Sequence, residues 1–311
     1  MSKFLISCIA ASALLFASCK ETKKDESNEA REKVTVQHTS GSAEVTVNPE
    51  NVVILSYGAL DSFDELGLDV KGAPIGNLPA YLDKYNKVEG LVNVGGIKDP
   101  NMEKINEVSP ELIIIGARTA SMLDEFNKIA PTLNLDVDAK DYMNSFKNNQ
   151  RAIGKIFGKE DVVEKELKDI DARIAKINEI AAKSDKKALI VLTNEGRMSA
   201  YGPGSRFGII HDVFGVKPAD QKIEVATHGQ SISNEFIKEM NPDYIFVIDR
   251  GAAIKRATMS KEEFANALVQ QTNAYKNDKI IFLNPEVWYL SGGGLKSIKM
   301  MISEVENAIA E

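Results

Sequence analysis

The stretch KEDVVEKELKDIDARIAKINEIAAKS, residues 159–184, contains no glycine or proline. Val163, Leu167, Ile170, Ile174, Ile177 and Ala181 recur along it at steps of four and three, and most residues between them are charged. Such steps gather side chains on one face of an α-helix, so the spacing predicts a long helix with a single apolar stripe. At 1.5 Å per residue it would span about 35–40 Å. An ordinary core helix would be shorter and more apolar. A helix this long and this charged, placed mid-chain, suits a rigid strut between two lobes.

Both flanks read as alternating strands and helices. VTVQHTSGSAEVTV (34–47) alternates around Ser-Gly-Ser, a hairpin pattern. VVIL (52–55) and LIIIG (112–116) read as buried strands, with helix-like ALDSFDELG (59–67) between them. After the strut, ALIVLT (188–193), YIFVID (244–249) and KIIFLN (279–284) read as strands. RFGIIHDVFG (206–215) reads as a helix ending at Gly215, and an amphipathic helix covers 295–309. This alternation predicts parallel sheets with helices on their faces. The expected architecture is α/β: two Rossmann-like lobes, 34–158 and 186–311, joined by the connecting helix 159–185. A chain of 311 residues is long enough for both cores.

The two halves also match each other. NMEKINEVSPELIIIGAR (101–118) aligns without a gap on SNEFIKEMNPDYIFVIDR (233–250). Glu103 falls on Glu235, Ile105 on Ile237, Pro110 on Pro242 and Arg118 on Arg250, always 132 residues apart. Each unit is a helix, a turn marked by proline, which cannot continue a helix, a buried strand, and then an arginine. Shared helix–turn–strand grammar would produce much of this pattern, but not readily the same glutamate and arginine at both ends. Ligands bind beyond the C-terminal ends of strands in open parallel sheets, so Arg118 and Arg250 are expected to face a shared cleft. Taken singly, Glu103 and Glu235 read as helix-start residues favoured by the macrodipole. As a matched pair they also suit a docking point for a two-fold-related partner.

The N-terminus reads as an export signal: Lys3, then an apolar run from Phe4 to Phe16, then small residues before Cys19. LFASC (15–19) has the form of a bacterial lipobox, which makes residues 1–18 a signal peptide and Cys19 the lipidated residue. A soluble exported protein cut near Ser18 is the alternative. Cys8 falls in the removed segment, so the mature chain would have no disulfide and no cysteine metal site. KETKKDESNEAREK (20–33) lacks large apolar side chains, and 19–33 is expected to be a lipid anchor and flexible tether. The net charge of −7 argues against nucleic acid as a partner.

Three further positions lie in loops of the second half. Arg206 sits in AYGPGSRFG (200–208), His228 in ATHGQSIS (226–233), and Tyr289 in NPEVWYLSGGG (284–294). His38 has no ligand-like neighbours, and His211 reads as a packed histidine. One histidine and one tyrosine cannot cage a bare metal ion. They suit the completion of the shell of a ferric ion already held by catecholate oxygens, because ferric iron is hard and takes phenolate and imidazole. Such complexes are anionic, and guanidiniums bind anionic oxygens through forked hydrogen bonds.

The segments YGALDSFDELG (57–67), SRFGIIHDVFGVKP (205–218), THGQSIS (227–233), NPDYIFVIDR (241–250) and NPEVWYLSGGGLKS (284–297) resemble ferric-siderophore binding proteins of ABC importers. The resemblance is to the helical-backbone class, class III of the periplasmic binding proteins, and to its catecholate subgroup, which takes enterobactin breakdown products and petrobactin-like ligands. It covers nearly the whole mature chain. It implies that Arg118, Arg206 and Arg250 surround the catecholates and that His228 and Tyr289 ligate iron. It implies that Glu103 and Glu235 form salt bridges to two permease subunits, which work with an ATPase. Tyr57, in LSYGALD (55–61), is expected to line the cleft. The expected protein is a lipid-anchored monomer with no cofactor beyond its cargo. Strut-limited motion would be a modest hinge.

Rival readings are a protein of the same architecture carrying haem, cobalamin or a hydroxamate siderophore, a free zinc or manganese binder, and an enzyme. The other organic cargoes would not need three arginines. The histidines are too few and scattered for a bare metal site. SGGGLKS (291–297) only loosely resembles a phosphate loop and lacks its spacing, and no nucleophile–base arrangement is apparent.

Overall fold

A computed structural model describes residues 31–256 and 258–310. The expected signal segment, Cys8, Cys19 and most of the expected tether lie outside the described residues. A hairpin opens the fold, with β1 (Lys33–His38) antiparallel to β2 (Gly41–Thr46). His38 pairs with Gly41, so the turn is Thr39-Ser40, ahead of the Ser-Gly-Ser centre at Gly41. Gly41, at φ 135°, is the first residue of the returning strand, a conformation that suits glycine.

The first lobe is built on β3 (Val52–Ile54), β4 (Gly72–Ala73), β5 (Val92–Asn93), β6 (Leu112–Ile115) and β7 (Thr132–Asn134). They form one parallel sheet in the order β5-β4-β3-β6-β7. The second lobe holds β8 (Lys187–Asn194), β9 (Arg197–Tyr201), β10 (Lys217–Pro218), β11 (Gln230–Ile232), β12 (Tyr244–Asp249) and β13 (Ile280–Phe282). Its order is β11-β9-β8-β12-β13, with β10 also on β8. β8, β10, β12 and β13 are parallel, while β9 pairs antiparallel with β8 and β11 pairs antiparallel with β9. That antiparallel edge was not expected from a strictly alternating pattern. RFGIIHDVFG also yields only one helical turn, Ile209–Asp212, before Gly215 at φ 72°.

The central strands are buried on both faces, as parallel sheets require. Val52, Ile54, Leu112 and Ile114 join the core that continues under the strut into the second lobe, where Ile190, Phe246 and Ile248 extend it. The alternate residues face a separate core in each lobe, Val53, Ile113 and Ile115 in one and Leu189, Ile245 and Val247 in the other.

The strut is the helix Glu160–Ala182, and its buried residues are the six of the stripe, Val163, Leu167, Ile170, Ile174, Ile177 and Ala181. Arg151 grips Glu164 through two bonds of 2.6 and 3.1 Å, tying the strut to the preceding helix Tyr142–Phe157. Lys176–Glu306 and Arg173–Ser303 tie it to the C-terminal helix Leu295–Ile309. That last helix also packs on the first-lobe helix Tyr57–Leu66.

The matched units keep their elements in register. Asn101 and Ser233 cap equivalent helices, Met102–Glu107 and Asn234–Met240, each accepting the amide three residues on. Ile105 and Ile237 are both fully buried, and β6 and β12 begin at Leu112 and Tyr244, again 132 apart. The second helix runs one residue longer than the first, and the units part further at the end. β6 stops at Ile115 and Arg118 lies in a 3-10 turn, whereas β12 runs on to Asp249 and Arg250 opens a helical turn.

Candidate functional site

The three loops that follow β6, β9 and β12 deliver Arg118, Arg206 and Arg250 to one tyrosine. Val287–Ser291 is a single π-helical turn, a form frequent at functional sites, and it presents Tyr289 between the lobes. Arg118 Nη2 and Arg206 Nη2 each donate to the Tyr289 carbonyl at 2.6 Å. Arg118 Nη1 reaches the Leu290 carbonyl at 3.4 Å. Arg250 Nε donates to the Tyr289 hydroxyl at 2.9 Å, and its Nη1 to Asn194 Oδ1 at 2.7 Å. The three guanidinium carbons lie 5.7, 4.4 and 5.8 Å from the Tyr289 ring centroid, within cation–π range.

Charge is concentrated and unpaired here. Among the described residues none of these three arginines has a carboxylate within ion-pair distance. Burial, and then the Arg206 charge, lowers the Arg118 pKa. Burial works to raise the Tyr289 pKa, but the Arg250 hydrogen bond and the charges of Arg206 and Arg250 outweigh it and hold the phenol below its ordinary value. Asp136, just past β7, is the acidic group nearest in influence; burial raises its pKa while the amides of Val137 and Ala117 oppose that rise.

Beside this cluster lies a cleft of about 300 Å³ walled by both lobes. Tyr57, Arg118, Arg250, Tyr289 and Leu290 line its inner part, with the exposed Lys98 and Arg256 toward solvent. Tyr57 is 2% exposed and donates its hydroxyl to the Pro74 carbonyl at 3.0 Å. Burial pushes its pKa up to about 12, so it faces the cleft as a neutral phenol.

His228 is not part of this cluster. It stands on an exposed turn just before β11, with no hydrogen bond or ion pair among the described residues. Its neighbour Gly229, at φ 70°, packs on the ring of Tyr201, which in turn contacts Phe207. His211 is packed, its Nδ1 2.7 Å from the Val216 carbonyl. Glu103 and Glu235 are exposed, each on the first turn of its short helix. Asn194 and Arg256 escaped the sequence reading. Asn194 ends β8, so the strand-end rule that selected Arg250 would also have found it. Arg256 sits in an irregular loop, 3.8 Å from Glu195, with no local signal to mark it.

Two α/β lobes joined by a long helix, with a cluster of arginines between them, give the architecture of a substrate-binding protein. The chain belongs to the periplasmic binding protein family, whose model matches residues 52–287. It is the substrate-binding component of an ABC importer and not an enzyme. The petrobactin-binding protein YclQ of Bacillus subtilis is 46% identical over 316 residues, 99% of each chain. Its crystal structure has a TM-score of 0.88 to this chain, covering 90% of this chain and 100% of that one at 48% identity. The ferric-anguibactin-binding protein FatB of Vibrio anguillarum is 33% identical over 88% of this chain and 86% of its own. The periplasmic catecholate-siderophore binding protein VctP of Vibrio cholerae has a TM-score of 0.85 at 31% identity, covering 89% of this chain and 100% of that one.

Proposed function

We propose that this chain captures an anionic ferric siderophore of the catecholate type and delivers it to an ABC permease for iron uptake. The observation that carries the reading is the trio of Arg118, Arg206 and Arg250 around Tyr289, drawn from both lobes and lacking carboxylate partners. Arg118 and Arg206 both donate to a single backbone carbonyl, that of Tyr289. A bound complex with several anionic oxygens would take those donors over, and charge-assisted forks are the stronger bonds. The relatives named for petrobactin and catecholate siderophores support the same chemistry.

Tyr289, with its depressed pKa, is the protein oxygen best prepared to become a ligand when a tetradentate catecholate leaves iron sites open. His228 is the second ligand in this reading, and its exposed turn would have to swing toward the cleft as cargo binds. Glu103 and Glu235 serve as the two docking points for the permease dimer, and Cys19 carries the lipid anchor. The strut and its flanking helices confine lobe motion to a small hinge.

The test is titration with ferric complexes of tetradentate and hexadentate catecholates, read by Trp288 fluorescence and visible absorbance. Both should quench, and Tyr289→Phe and His228→Ala should each alter the charge-transfer band of the tetradentate complex alone. Quenching by haem or a ferric hydroxamate with none by either catecholate would sink the cargo assignment. An unchanged band in the double variant would remove direct ligation.

A further inference from the structure

The string SGGGLKS leads into the C-terminal helix, and its anion position is already filled from within the protein. Asp61, in the middle of the helix Tyr57–Leu66, is 0% exposed and points its carboxylate at the start of Leu295–Ile309. Oδ1 accepts the Lys296 amide at 2.8 Å, and Oδ2 accepts the Ser297 amide at 2.6 Å and the Tyr81 hydroxyl at 3.2 Å. Ser62 Oγ accepts the Leu295 amide at 3.2 Å, and Ser297 Oγ accepts the Gly294 amide at 3.0 Å. All the amides that a helix start leaves unpaired are thereby satisfied, most of them from the other lobe.

The approach is close enough to demand glycine. A Cβ on Gly294 would run into the Asp61 carboxylate and the Gly58 carbonyl. One on Gly58 would lie 3.1–3.3 Å from backbone atoms of Ser291, Gly292 and Gly294. The glycine string therefore serves a backbone-to-backbone junction. That junction joins two parts of the cleft: the first-lobe helix opens with Tyr57, and the π-helical turn carrying Tyr289 runs straight into Gly292. Arg118 and Gln150, both first-lobe residues, bond the carbonyls of residues 289, 290 and 293 on the same segment.

A serine or asparagine would cap this helix at less cost than a buried carboxylate with no ion-pair partner among the described residues. Burial raises the Asp61 pKa to about 6, against the opposing bonds from residues 296 and 297. The titratable groups facing it are Tyr81, Tyr85 and Tyr142, all pushed well above the ordinary phenol value and so neutral. The cation of Lys296 lies over the Tyr81 ring at 5.7 Å.

We infer that Asp61 is a positioning residue of the binding site: its carboxylate clamps the 291–297 segment to the first lobe and holds Tyr289 among the arginines. The inference rests on the Tyr289 cluster being the binding site, so its test has one arm without cargo. Trp288 adjoins Tyr289 in the turn and donates to Glu304 at 2.6 Å. In ligand-free protein its emission should shift with a midpoint near pH 6. Asp61→Asn should abolish that transition, whereas Glu304→Gln, which removes the carboxylate touching the indole, should leave it in place. In the second arm, Asp61→Asn at about pH 7.5 should bind a ferric bis-catecholate about tenfold or more weakly than wild type. Affinity within about twofold of wild type, or an emission transition that persists in Asp61→Asn, overturns the proposal. Should Asp61→Asn not fold, a flat wild-type titration overturns it instead. Failure of wild type itself to bind the ferric catecholate would count against the cargo assignment, and the emission arm would still judge Asp61.

Discussion

Replacing Arg250 by lysine separates the charge of the site from its geometry. The guanidinium uses Nε for the Tyr289 hydroxyl and Nη1 for Asn194, two directions fixed by one plane. Lysine keeps the positive charge but has a single nitrogen and no fork. At least one of the charge-assisted hydrogen bonds that the fork would offer an anionic cargo is lost, worth about 1.5–3 kcal/mol. At 1.4 kcal/mol per factor of ten, that is roughly a 10- to 150-fold loss of affinity for an anionic complex. The phenol should respond as well, because the Arg250 bond is a principal cause of its depressed pKa; alkaline difference spectra, with Tyr289→Phe subtracted, should place its ionisation higher in Arg250→Lys. Affinity is read by quenching of Trp288 with a ferric tetradentate catecholate. Wild-type affinity in Arg250→Lys together with a large loss in Arg250→Gln would refute the reasoning, because the site would then be sensing charge alone.

Ile170→Ala should cost about 2–5 kcal/mol in urea unfolding, since Ile170 is fully buried beneath the strut, while Lys168→Ala on the exposed face should stay within about 0.5 kcal/mol. Charge reversal at both Glu103 and Glu235 should abolish uptake and leave cargo affinity unchanged; intact uptake would remove their docking role. Stability should also carry the mark of Asp61. Its pKa rises from 3.8 to about 6 on folding, so the native state keeps the proton longer than the unfolded chain. Relative to Asp61→Asn, stability is then fully present below about pH 4, falls as pH rises to about 6, and stays at its lower level above that, a difference of up to ~3 kcal/mol. Urea midpoints across that window check the sign, and the subtraction removes Asp136 and Glu304, whose burial acts in the same direction.

The strut was legible because helix periodicity is a local property. Once residues 163, 167, 170, 174, 177 and 181 are apolar, the buried face follows from 3.6 residues per turn, and those are the six found buried. The matched units were legible for a related reason, since caps, the proline turn and the buried strand are each written within a few residues. Where structure depended on pairing between distant segments, the pattern ran short. The antiparallel strands β9 and β11 are too brief to announce their direction, and the hairpin turns at Thr39-Ser40, with Gly41 taking the positive φ that follows.

The sequence by itself determined the α/β class, the long helix between two lobes, and the strand ends from which Arg118 and Arg250 project. Only the tertiary structure decided that Arg118, Arg206 and Arg250 meet at Tyr289, that His228 stands apart from them, and that the glycine string answers Asp61. Those contacts span 171, 83 and 39 residues to Tyr289 and 236 residues from Asp61 to Ser297. Periodicity reports which face of an element is buried, whereas contacts at such separations depend on how the two lobes are held against each other.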